Sequence, residues 1–315
     1  MSAALRVARP GELDSLELVA RPRRGPGPGE VAIRVEAAGV NFKDVLVALG
    51  MSGESHDLGL DGAGVVTESA ADGLRPGDRV AFFHEGAFAD HVTVPADLVM
   101  PVPDGMSTIE AATVPVAFLT AWHGLVRLAW LRPGEVVLVH SAAGGVGLAA
   151  LDVAHLCGAE VLATAGTAAK RGYLHGLGVA EVMDSRTPDF GRQAEGRVDV
   201  VLNSLPGPAL RAGLDTLREG GRFVEIGKHD IHGGGSIPLA PFRRNLSLHS
   251  VDLLLMSRVR RPLVGDLFRE LVPLFAEKQL APLPHVVHDV EDAPAAFRAL
   301  TTGRHIGKVV LAFPG

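Results

Sequence analysis

Two patterns of apolar positions divide this chain. Over residues 1 to about 115 short apolar runs are broken by Gly/Pro turns. Strands are predicted at 31–37, in GLDGAGVV and in GDRVAFF, so this half is mostly antiparallel β. From Val116 to Ala129 a helical period takes over, and after it apolar runs alternate with helical stretches. Residues 136–139 are one continuous aliphatic run, the mark of a strand buried on both faces of a parallel sheet. Behind it Val146, Ala149, Ala150, Val153, Ala154 and Cys157 recur at helical spacing, which predicts a helix with Cys157 as a small core residue on its apolar face. Further strands are predicted at 160–164, 181–184, 198–203, 222–226 and 246–251, with helices at 169–177 and 208–217. Such alternation implies a doubly wound parallel sheet. The tail predicts helix 263–276, strand 285–289, helix 293–300 and strand 307–312, and no repeat is visible.

The turn between strand 136–139 and its helix carries the first chemistry. Ala142, Gly144 and Gly147 fill the three positions of G-x-G-x-x-G, with alanine in the first, and Gly145 and Val146 complete the turn. Free N–H groups and the positive end of the helix dipole there suit the pyrophosphate of a dinucleotide. In NAD-binding sheets a carboxylate about twenty residues on holds the ribose. Here that position falls near Thr164, in ATAGTAAKR, with no carboxylate but with Thr167, Lys170 and Arg171. A hydroxyl and two cations favour the 2′-phosphate of NADPH over NADH. The competing reading is a plain solvated helix start.

Composition narrows the field. The chain has 315 residues, 47% hydrophobic, enough for two domains, and a net charge of −6 gives no basic field for nucleic acid or an anionic membrane. Lysine is scarce, namely Lys43, Lys170, Lys228, Lys278 and Lys308, so each merits inspection. One cysteine excludes an internal disulfide and a Cys-rich zinc site, which fits a reducing, cytoplasmic setting. MSAALRVARP lacks an apolar h-region and no 18-residue stretch lacks charge or glycine, so no membrane insertion is expected. HEGAFADH starts like H-E-x-x-H but has Phe88 where the second histidine belongs, and no metal site is expected. No G-x-S-x-G elbow is present.

HSAAGGVG, VDVVLNSLPG, GGRFVEIGKHDI and RHIGKVVL, with GVNFKDVLVALG, LDGAGVV and VPVAFLTAWHGL, occur here in fixed order along essentially the whole chain. Together they resemble the enoyl reductase domain of modular polyketide synthases and animal-type fatty acid synthase, within the medium-chain dehydrogenase/reductase superfamily. The ends fall near the usual limits of such a domain, which leaves open an excised domain or a discrete trans-acting protein. The resemblance implies an α/β fold: a GroES-like β-rich catalytic domain from 1–117 and 253–315, and an inserted Rossmann NADPH-binding domain over 118–252, with the cofactor cleft between them. Zinc-containing relatives carry a cysteine near Asn41 or Phe42 and a cysteine-rich lobe, and both are missing here.

The implied reaction is NADPH-dependent reduction of a 2-enoyl thioester, presented by acyl carrier protein, with neighbouring synthase domains as possible partners. The resemblance points to Lys228 and Asp252 as proton donor and enolate stabiliser, directly or through a water, against the plainer alternative of a salt bridge. Asn41 and Thr120 fall where relatives line the nicotinamide pocket, and Asn203 and Gly227 at strand ends facing the cofactor. Relatives often carry a tyrosine on the loop after ALG, its presence going with a 2S and its absence with a 2R α-methyl product. Ser52 stands there, and the single tyrosine is Tyr173, which implies 2R. A zinc-free quinone oxidoreductase is the alternative enzyme, and an NADPH-binding protein without turnover the non-enzymatic one.

Overall fold

A computed structural model describes residues 2–52, 57–227, 231 and 233–314. The chain forms two compact units, Met1–Leu119 with Leu253–Gly315, and Thr120–Asp252.

In the first unit, β1 (Ser2–Val7) and β2 (Leu16–Arg21) form a small hairpin sheet. A larger sheet is built from β3 (Glu30–Val40), β4 (Asp61–Ser69), β5 (Arg79–Phe83), β6 (His91–Pro95) and β7 (Val99–Pro101), all antiparallel neighbours. β3 anchors it because Val31, Ile33, Val35, Ala37, Ala38 and Val40 are all buried, and a strand covered on both faces can be nearly continuous in apolar residues.

In the second unit, β8 (Val136–Val139), β9 (Glu160–Ala165), β10 (Glu181–Asp184), β11 (Val198–Asn203), β12 (Leu217–Glu225) and β13 (Ser247–Ser250) make one six-stranded sheet in the order β10-β9-β8-β11-β12-β13. Every neighbouring pair is parallel. The order reverses between β8 and β11, and such a switch point opens a crevice at the carboxyl ends of those strands. Leu138, Val201, Phe223, Phe190 and Leu214 pack the core beneath it. The chain then returns to the first unit, where β14 (His285–Asp289) and β15 (Lys308–Ala312) extend the larger sheet, β15 antiparallel to β3.

Three expectations are corrected. The helical period over 116–129 resolves into an α-helix, Pro115–Trp122, and a π-helical segment, His123–Leu128. Strand β12 begins at Leu217 rather than near residue 222, because Leu217 already pairs with Val198 before the register shifts. Cys157 is the half-buried C-cap of helix Gly145–Leu156 rather than a residue of its apolar face. Among the described residues one stretch, Thr108–Leu128, is long and apolar enough to cross a membrane, and 67% of its window is buried inside the fold.

Candidate functional site

The glycine turn lies at the switch point of the second unit. Ser141, in the left-handed region at φ 52°, turns the chain out of β8, and its Oγ accepts a hydrogen bond of 3.1 Å from Ser204 Oγ, just beyond β11. Gly144, Gly145 and Val146 at the tip are half-buried, while Ala142 and Gly147 are buried. A Cβ on Gly147 would stand 2.5 Å from Ala142 Cα and 2.6 Å from the carbonyl oxygens of Ser141 and Ala142, so this residue lets helix Gly145–Leu156 close onto the turn. A Cβ on Gly144 would meet only Ser141 O, at 3.4 Å. No side chain caps this helix. Gly144 N–H donates to Ser141 O at 2.9 Å, and the first N–H groups of this 12-residue helix have no partner within the helix, an arrangement that fits the pyrophosphate of a dinucleotide.

At the ends of β9 and β10 the structure redistributes the expected phosphate contacts. Thr164 is fully buried, its Oγ1 sharing a 2.9 Å hydrogen bond with His140 Nδ1, so it presents no hydroxyl to a ligand. Burial holds the His140 imidazole neutral, with its pKa pushed down to about 3. Thr167 Oγ1 accepts from Lys170 N and caps the helix Ala168–Gly176. Arg171 is turned away, donating to Ala165 O and pairing with Asp184 at 3.0 Å. A cation the sequence reading missed takes its place. A Cβ built on Gly166 would lie 3.0 Å from Arg186 Nε and 3.4 Å from Ser185 Oγ, so this guanidinium stands over the end of β9. Lys170 is half-buried, and burial lowers its pKa. Among the described residues neither Lys170 nor Arg186 makes an ion pair, which leaves two cations and the Ser185 hydroxyl for an anion.

Other expected residues are engaged differently. Asn203 is fully buried and spends its side chain locally: Nδ2 donates to Glu225 Oε2 and Leu205 O, and Oδ1 accepts from Leu205 N. It therefore shapes the loop after β11 rather than offering a donor to a cofactor. Gly227 is half-buried and donates its N–H to Glu225 Oε1 at 2.6 Å. Thr120 is buried. Asp252 is half-buried, two residues past β13, and Lys228 lies outside the described residues.

In the first unit Asn41 sits in a buried ionic network that periodicity could not reveal. Lys308 Nζ donates to Asn41 Oδ1 at 2.8 Å and lies 3.4 Å from Asp61 Oδ2; Asn41 Nδ2 donates to Asp61 Oδ1 at 2.7 Å. Val116 N also donates to Asp61. Beside it, Asp44 accepts from Asn41 N and Gly59 N. Burial raises the pKa of both carboxyls, Asp44 to about 7, while those donors and Lys308 pull in the opposite sense.

Known proteins with this architecture decide the family. The model of the zinc-binding dehydrogenase family matches residues 177–311, and that of the alcohol dehydrogenase GroES-like domain residues 27–104. The crystal structure of the CurK enoyl reductase superposes with a TM-score of 0.91 at 36% identity, covering 99% of both chains. The chain belongs to the polyketide enoyl reductases. The ER cyclopropanase CurF of the curacin A biosynthetic pathway is similar to this enoyl reductase at TM-score 0.91 and 33% identity, again over 99% of both chains. A mycocerosic acid synthase-like polyketide synthase of Mycolicibacterium smegmatis is 44% identical over 98% of the chain, which spans only 15% of that protein. Enoyl reductases of this kind belong to the medium-chain dehydrogenase/reductase superfamily, whose members use a nicotinamide cofactor. Zinc does not fit the donor set: among the described residues no three His, Cys, Asp or Glu side chains converge.

Proposed function

We propose that this protein is an NADPH-dependent enoyl reductase that saturates the 2,3 double bond of an acyl thioester carried on acyl carrier protein, working beside other synthase domains in a reducing cytoplasm. The observation that carries the reading is the open glycine turn at the switch point of a chain that matches an enoyl reductase over its whole length. NADPH rather than NADH is supported by Lys170 and Arg186, which follow β9 and β10; the carboxylate beside them, Asp184, is paired with Arg171 at 3.0 Å.

In this reading the N–H groups of Gly145, Val146 and Gly147 hold the pyrophosphate against the helix dipole, with Ala142 and Gly144, whose own N–H donates to Ser141 O at 2.9 Å, shaping the turn. Thr167, Lys170 and Arg186 hold the 2′-phosphate, and Asn41, Thr120 and Gly227 serve the nicotinamide half. When bound, the cofactor supplies hydride to the β-carbon of the enoyl group. The chain must then stabilise charge on the thioester oxygen and protonate the α-carbon, roles assigned to Lys228 and Asp252. An ammonium beside a carboxylate can do both, directly or through a held water.

The test is the product formed from a 2-methyl-2-enoyl thioester and NADPH. A saturated 2R product is expected, because no tyrosine stands on the loop at Ser52 and the single tyrosine, Tyr173, lies on the helix Ala168–Gly176. A predominantly 2S product would overturn the proton-donor assignment alone. Reduction of quinones with thioesters untouched would favour the quinone oxidoreductase, and tight NADPH binding without turnover on either would favour a binding protein.

A further inference from the structure

The six strands of the second unit run in the order β10-β9-β8-β11-β12-β13, two groups of three that meet at the switch point between β8 and β11. A sheet of this order holds a dinucleotide as two halves, one nucleotide over each group of strand ends. In the proposed function the glycine turn after β8, with Lys170 and Arg186, takes the adenosine half. The nicotinamide-bearing half therefore falls to the ends of β11, β12 and β13.

One buried side chain ties those ends together. Asn203, the last residue of β11, and Glu225, the last of β12, stand opposite each other in parallel register and are 0% and 7% exposed. Glu225 Oε2 accepts from Asn203 Nδ2 at 2.6 Å, and Oε1 accepts from Gly227 N at 2.6 Å. Asn203 gives its second amide proton to Leu205 O at 2.9 Å and accepts from Leu205 N at 3.2 Å. On the backbone Ile226 N donates to Asn203 O and Val251 N to Glu225 O, both at 2.9 Å. A hydrogen-bonded line thus runs from the loop after β11 through Asn203 and Glu225 to the loop after β12, and Glu225 O holds the residue that follows β13. The line needs a carboxylate at 225. Its two oxygens receive two donors, whereas an amide there offers one oxygen and an NH2 that would face an N–H. At this burial a lost bond costs the desolvation of the group left unpaired. Gly227 closes on the same carboxylate, since a Cβ there would stand 2.8 Å from Glu225 Oε1.

We propose that Glu225 is a positioning residue which, through Asn203 and Gly227, sets the ends of β11 and β12 in the shape that binds the nicotinamide-bearing half of the cofactor. This rests on the proposed function for the identity of the ligand, and all three residues belong to one compact unit. Glu225 acts through the loops it holds.

The test compares the affinities of NADP+ and 2′,5′-ADP, which lacks the nicotinamide half, by titration calorimetry on the whole protein. In Glu225→Gln NADP+ should bind about tenfold more weakly, the scale of one hydrogen bond, with 2′,5′-ADP unchanged within about twofold. Asn203→Asp, which sets two carboxylates face to face, should lose at least as much. The double variant Glu225→Gln/Asn203→Asp exchanges carboxylate and amide, which restores the bond between the strands and the one from Gly227 N. It should return NADP+ affinity to within about threefold of wild type. Gly227→Ala breaks the same link from the loop side and should show the same split between ligands, so the comparison stands even where a buried substitution costs the fold. Unchanged NADP+ affinity in Glu225→Gln, parallel losses for NADP+ and 2′,5′-ADP, or a double variant no better than its single variants would overturn the proposal while leaving the proposed function intact. A wild-type protein that binds neither ligand would remove both.

Discussion

Lys308→Met isolates the buried pair in the first unit. Its ammonium lies 3.4 Å from Asp61 Oδ2, and the two side chains are 5% and 0% exposed. With an effective dielectric constant of about 20, Coulomb attraction at that separation is about 5 kcal/mol, offset in part by the desolvation of the ammonium. Removing one partner leaves a buried carboxylate with an ion's desolvation penalty and no counter-charge, a loss of about 3–5 kcal/mol. That is a large share of the roughly 5–15 kcal/mol by which a domain is stable. Asp61→Asn/Lys308→Met removes both charges and should recover all but about 1–3 kcal/mol, the remainder reflecting donors that a neutral amide at position 61 cannot satisfy together. Hydrogen exchange of β3, β4 and β15 amides under rising urea reads the opening of this sheet. A single variant within about 0.5 kcal/mol of wild type, or a double variant no better than the single, would refute the reasoning.

Three further outcomes are expected. Gly147→Ala forces a Cβ onto the backbone of Ser141 and Ala142 and should abolish NADPH binding and lower the melting temperature, whereas Gly144→Ala meets only one oxygen at 3.4 Å and should fold normally. Equal melting temperatures for the two would contradict the close approach at Gly147. Lys170→Ala and Arg186→Ala should each weaken NADPH by about 1.5–3 kcal/mol and leave NADH nearly unaffected; equal losses for both cofactors in a titration would remove the 2′-phosphate assignment. Burial raises Asp44 to about 7, above its unfolded value, so the native state holds the extra proton. Its contribution is therefore fully present below about pH 4 and lost as pH rises through about 7, on the order of 4 kcal/mol in all. Urea midpoints measured across that window should fall less steeply in Asp44→Asn, and an unaltered slope would contradict the shift.

The strands β10, β11 and β14 were legible to the residue, because each centres on two to four aliphatic residues lying between stretches rich in Gly, Pro, Ser or Asp. β12 was not, since Leu217 is followed by the polar, glycine-rich REGG, which reads as a turn although Leu217 already pairs with β11. The segment 116–129 has one helical period, and apolar spacing does not distinguish an α-helix from the π-helical turns at His123–Leu128. Counting twenty residues past the glycines led to Thr164, but β9 is buried on both faces through Ala165, so the ligand-facing residues begin only at Gly166. Arg186 escaped notice because it follows a different strand, and parallel pairing of β10 with β9 is what brings it there. The Asn41, Asp61 and Lys308 network joins residues 20 and 247 positions apart. Its one signal in the sequence was a scarce lysine beginning the otherwise apolar run KVVLA.

The most direct measurement is the fate of the hydride. Protein incubated with NADPH deuterated at C4 and a crotonyl thioester should yield the saturated thioester with a single deuterium on its β-carbon. Recovery of the unsaturated thioester unchanged, or deuterium anywhere other than the β-carbon, would contradict the assignment as an NADPH-dependent enoyl reductase.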